Sequence, residues 1–145
     1  MIEELRNKAR ELLKTNKVDV IIGYERAPDG ISAKPCFVEK EEDIENLIWD
    51  AYCVYNLSNH LKDFSGKRIG IVAKACDIKS IKVLLQENQL KRQEIFIIGV
   101  ECSGIIDEKR LLLTDKQTQE AGFVEKCIGC KPSLPDFSDI LIKKV

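Results

Sequence analysis

Two short apolar runs, RIGIVA at residues 68–73 and IFIIGV at Ile95–Val100, flank one helix-length segment, and this arrangement constrains the fold more than any other feature. Between them Ile78, Ile81, Leu84 and Leu85 recur at three- and four-residue spacing, the pattern of a helix with one buried stripe. Asp77 is placed to cap that helix, which extends towards Asn88. A strand, a helix and a second strand in one sheet form a right-handed parallel crossover in nearly every known case.

The rest of the chain builds outward from this unit. Ile2, Leu5, Ala9, Leu12 and Leu13 put an apolar stripe on a helix ending near Asn16. VDVIIGY at residues 18–24 reads as a strand buried on both faces. Residues 25–35 contain Pro28-Asp29-Gly30 and Pro35 and read as turns, with Cys36-Phe37-Val38 in an edge strand beyond them. Residues 41–49 and 56–64 read as two short helices, and 115–121 as a helical segment stopped by Gly122. DILI at residues 139–142 supplies a last strand. The expectation is α/β, an open, mostly parallel sheet of three to five strands flanked by helices, with residues 1–145 forming a single domain.

Charge narrows the function classes. The 23 Lys and Arg nearly balance the 24 Asp and Glu, giving a net charge of -1, so the basic surplus of a nucleic-acid binder is missing. Apolar stretches such as Ile95–Val100 are far shorter than the roughly 20 residues that cross a bilayer, so no membrane insertion is expected. The opening MIEELRNKARELL lacks the basic start and apolar run of a secretory signal, which points to the cytoplasm. In that reducing compartment six cysteines favour metal or redox chemistry over structural disulfides.

Ligands of open α/β sheets collect where parallel strands end and their loops diverge. Cys76 follows the strand at residues 68–73, and Cys102 follows Ile95–Val100, so parallel pairing would send both thiols to one crevice. Cys127 and Cys130 form C-I-G-C, whose spacing lets two sulfurs reach one centre. Lys131, Pro132 and Pro135 follow this motif, whereas a thioredoxin-like dithiol would open an apolar helix. Four thiolates suit a cubane cluster or zinc alike, and ligand type alone does not separate them. Cys36 and Cys53 read as packed small residues, with Cys53 near enough to be a neighbour or replacement ligand. His60 lacks a companion ligand and reads as a surface or interhelical side chain. Trp49, Tyr52 and Tyr55 could line a flavin pocket, although core or partner-interface packing explains them more simply. No Walker loop, G-x-S-x-G elbow or G-x-G-x-x-G fingerprint is present.

The contexts IVAKACDIKSIKVL, IIGVECSGI and CIGCKPSLPDFSDI occur in the order found in a known group. The sequence resembles the β-subunit family of deazaflavin-coenzyme-reducing hydrogenases and formate dehydrogenases. VDVIIGYERAPDGISAKPCFV and LIWDAYCVYNL resemble, in particular, the iron–sulfur electron-transfer proteins associated with heterodisulfide-reductase-like complexes of anaerobes. The resemblance implies that Cys76, Cys102, Cys127 and Cys130 hold a [4Fe-4S] cluster. It also implies an electron-transfer subunit without bond chemistry of its own. Such a subunit would relay electrons between a flavin or ferredoxin partner and other subunits of an anaerobic oxidoreductase complex. Family members usually continue into flavin-binding sequence or carry C-x-x-C-x-x-C motifs, and this chain has neither. FAD is therefore a secondary candidate: a complete flavin site and a second cluster would have to come from another chain, or be absent in a shortened relative. A structural zinc-binding or scaffold module, or a flavin-dependent oxidoreductase subunit, is the alternative expectation.

Overall fold

A computed structural model describes residues 2–50, 52–53, 55–64, 66–101 and 138–142. The elements are α1 (Ile2–Lys14), β1 (Val20–Arg26), β2 (Ala33–Val38), β3 (Ile69–Ala73), α2 (Ala75–Gln86), β4 (Ile95–Val100) and β5 (Ile140–Ile142). Short 3₁₀ segments span Glu41–Asn46, Leu57–Phe64 and Arg92–Glu94. The five strands form one sheet in the order β2-β1-β3-β4-β5. β1–β3, β3–β4 and β4–β5 run parallel, and only the β1–β2 edge pair is antiparallel. The α/β expectation and the mostly parallel sheet are both found.

Every residue of β3 is buried, as is β1 from Val20 to Tyr24, because central strands of such a sheet lose solvent on both faces. Fully burying one Ile or Leu contributes about 1.5–3 kcal/mol, so Ile21, Ile22, Ile71, Ile97 and Ile98 make this centre a major source of apolar stabilisation. Leu5, Ala9 and Leu12 are the buried face of α1, and α2 buries Ile78 and Ile81. Both helices stop the same way. Asn16 and Asn88 adopt left-handed φ of 57°. Lys17 N–H then reaches Leu12 O at 3.0 Å, and Gln89 N–H reaches Leu84 O at 3.0 Å. An Asn tolerates this backbone better than most residues, and the six-to-one bond satisfies a carbonyl the helix would leave bare.

Three local expectations are corrected. The chain pairs again earlier than its turn residues suggest: β1 runs on to Arg26 and β2 starts at Ala33, with Pro35 opposite Tyr24. Proline is tolerated there because β2 is an edge strand whose missing N–H costs no ladder bond on its open side. The two helices expected around residues 41–49 and 56–64 are 3₁₀ segments, Glu41–Asn46 and Leu57–Phe64. Asp77 caps α2 from inside its first turn, three residues after Lys74, rather than from the N-cap. The helix expected at residues 115–121 lies outside the described residues.

Candidate functional site

Pairing Ile69 with Ile95 and Ala73 with Gly99 brings β3 and β4 to an end side by side. Lys74 and the first turn of α2 leave β3 at that edge. Glu101, the residue before Cys102, leaves β4 at the same edge, where its N–H bonds Ile142 O at 3.1 Å. The parallel pairing expected of these two strands is found, and it places Cys76 and Glu101 at the same end of the sheet. Cys76 is exposed on the first turn of α2, with Sγ 3.9 Å from Asp77 Oδ1. Negative charge is favoured at such a helix start. Cys102, Cys127 and Cys130 lie outside the described residues. Among the described residues no three His, Cys, Asp or Glu side chains gather as a metal-binding group.

Beneath Cys76 the edge holds a buried cation. Lys74 is 1% exposed and Asp77 0%. The Lys74 ammonium donates to Tyr24 Oη at 2.5 Å, Tyr55 O at 3.1 Å and Cys53 O at 3.2 Å. The Asp77 carboxylate lies 3.1 Å away and supplies the opposing charge. The ammonium also sits 5.7 Å from the Trp49 ring centroid, within cation–π range, while it meets Tyr24 at the hydroxyl end of the ring. Tyr24 Oη in turn donates to Tyr55 O. A buried charge is tolerated when paired and hydrogen-bonded, and Lys74 meets both conditions.

Cys53 is fully buried on this network, accepting Asp50 N–H on Sγ at 3.4 Å. Burial pushes its thiol up to about 12. Burial, with help from Glu25, likewise pushes Cys36 up to about 12 in β2. Both side chains are buried in the apolar core. Trp49 belongs to the core, 6.0 Å from Tyr24 between ring centroids, whereas Tyr55 is half exposed. His60 stacks edge-on against Phe37 at 5.2 Å and faces Asp63 at 3.6 Å.

Sequence reasoning missed Lys74 and Tyr24. The available signal was a lysine wedged between Ala73 and Ala75 where an apolar strand meets a helix, the place where a charge must find buried partners.

The fold is that of an α/β domain with a mostly parallel five-stranded sheet. The chain is similar to the F420-dependent formate dehydrogenase subunit beta of Methanocaldococcus jannaschii. The two are 27% identical over 97 residues, 66% of this chain and 26% of that protein. Against the F420-dependent formate dehydrogenase 1 subunit beta of Methanococcus maripaludis the identity is 25% over 100 residues, 68% of this chain and 26% of the relative. The match thus spans about a quarter of each of these curated relatives. Among solved structures, a chain of the F420-reducing [NiFe] hydrogenase complex from Methanosarcina barkeri superposes with a TM-score of 0.60 at 18% identity. That superposition covers 70% of this chain and 38% of the other, and it carries the fold. No protein-family model matches the chain. Among the described residues no helix is long and apolar enough to cross a membrane.

Proposed function

We propose that the chain is a cytoplasmic electron-transfer module of a multi-subunit hydrogenase- or dehydrogenase-type oxidoreductase. In this reading Cys76, Cys102, Cys127 and Cys130 would hold a [4Fe-4S] cluster. The observation that carries it is the exposed Cys76 at the helix start beside the end of β4, two residues beyond which Cys102 follows in the sequence. A thiol there fits a shared centre, because it is presented outward at the edge where two parallel strands end. Held by four thiolates, such a cluster supplies reversible one-electron transfer.

The protein's own contribution is positional. β3 and β4 fix the two loop origins relative to each other, and the buried sheet beneath them resists movement. The similarity to β subunits supports other oxidoreductase subunits as partners, and ferredoxin is the smaller carrier suited to the same exchange.

Anaerobic purification followed by iron and acid-labile sulfide analysis tests the reading. Near-equal iron and sulfide with broad visible absorbance is the expected result. A colourless protein carrying zinc would replace it with a structural metal site. A yellow protein releasing fluorescence on denaturation would identify a flavin subunit.

A further inference from the structure

The Lys74 network ties together three parts of the chain. Tyr24 belongs to β1, Cys53 O and Tyr55 O belong to the loop after Trp49, and Asp77 lies in the first turn of α2. Two of its three hydrogen-bond acceptors are backbone carbonyls, so the lysine fixes the course of the loop itself. Asp77 completes the link by accepting the Lys74 backbone N–H at 2.9 Å. Cys76 stands between these two charged residues in the chain.

We propose that Lys74 and Asp77 are positioning residues for Cys76: together they lock the turn bearing this cysteine against the 52–55 loop and set the local charge around it. The inference rests on Cys76 acting as a ligand, but its mechanical half is testable without any bound metal. The cation and the carboxylate act on that position with opposite sign. A nearby cation favours the reduced, more negative state of a redox centre, and a nearby anion disfavours it.

The test uses the full chain with Lys74→Met, Asp77→Asn and the double variant. Replacing both members of a buried pair removes the cost of leaving one charge alone, so the double variant guards against a single variant that fails to fold. In apo protein, hydrogen exchange should accelerate at least tenfold at residues 52–53 and 55 and at residues 75–78 in the double variant, with β1 and β3 unchanged. Asp77→Asn should accelerate residues 75–78 alone, because Lys74 keeps its bonds to Tyr24, Cys53 and Tyr55. Exchange within twofold of wild type in the double variant overturns the lock. In anaerobically reconstituted protein, Lys74→Met should move the midpoint potential down and Asp77→Asn should move it up. Shifts of the same sign, or none, overturn the electrostatic half. Wild-type protein that binds no cluster defeats the ligand assignment of Cys76, and with it the positioning of a ligand, whatever the exchange data show.

Discussion

One carboxylate oxygen of Asp77 serves Lys74 twice: Oδ2 accepts its backbone N–H at 2.9 Å and lies 3.1 Å from its ammonium. The residue therefore caps a helix and neutralises a buried charge at once. Both functions are lost together when the side chain is shortened.

Asp77→Ala should accordingly be among the most damaging single changes outside the apolar core. Loss of one partner of a buried pair costs about 3–5 kcal/mol, against about 1 kcal/mol for an ordinary helix cap. Urea unfolding followed by circular dichroism measures the difference. A loss no larger than that of an exposed cap would show that Lys74 finds compensation elsewhere.

Gly70 gives a second, independent stability prediction. A Cβ at this position in β3 would stand 2.6 Å from Ile21 Cδ1, so the fully buried Ile21 must turn its terminal methyl away within the core. Gly70→Ala should destabilise by about 1–3 kcal/mol through overpacking. Ile21→Val removes the offending methyl, so the double variant should be more stable than the sum of the two single effects. Simple additivity in that cycle would mean that the strand shifts rather than the side chain.

Much of this framework was legible from the amino-acid order. β3, α2 and β4 are each continuous in sequence, and their apolar periods differ enough to be told apart. β2 was harder, since Pro35 and the Pro28-Asp29-Gly30 turn signal a break, whereas its pairing with β1 depends on the register from Ile21–Val38 to Arg26–Ala33. The position of Lys74 was a signal, but its partners were not legible, for a physical reason. Two of its acceptors are backbone carbonyls, which any residue can supply, and Tyr24 lies 50 residues away in the chain.

The buried thiols make stability depend on alkaline pH. Cys36 and Cys53 ionise near the ordinary 9.0 when unfolded but resist ionisation up to about 12 in the folded chain. Protonation held by the fold thus adds to stability below the unfolded value, and that contribution is lost as pH rises from there through the folded value. The stability advantage of wild type over Cys53→Ala should shrink between about pH 7 and about pH 10.5, measured by urea unfolding at each. An advantage that is constant or grows over this interval would contradict the burial of this thiol.

β5 is short, and one side chain secures its start. Asp139 accepts from Arg92 at 3.0 Å on both oxygens, and its Oδ2 also accepts the Ile97 N–H at 2.7 Å. The pair with Arg92 is partly exposed and contributes little on its own, so the bond to Ile97 should dominate. Asp139→Ala should cost about 1–3 kcal/mol locally by stranding that N–H. Hydrogen exchange should quicken at Ile97 and residues 140–142 while β1 and β3 stay protected. Unchanged protection across β5 would mean that the ladder with Ile98, Gly99 and Val100 suffices to hold it.

The cysteine series separates the proposed cluster from a structural zinc site most directly. A serine hydroxyl is far less readily deprotonated than a thiol, so Cys76→Ser, Cys102→Ser, Cys127→Ser or Cys130→Ser should make a cubane labile or strip it of iron. Because β1, β3 and β4 bury their own core, the α/β circular dichroism should survive each change while visible absorbance and electron transfer are lost. A structural zinc site would respond differently: there is no colour to lose, and releasing one ligand of Cys127 and Cys130 should loosen the segment that carries them. Cys36→Ser is the control, since this thiol packs in β2 at the opposite side of the sheet order from β4. It should leave iron content and absorbance unchanged. Full absorbance and full electron transfer in Cys127→Ser would remove that residue from the ligand set, and the same outcome at Cys76 would remove the sheet-edge site on which the proposed function rests.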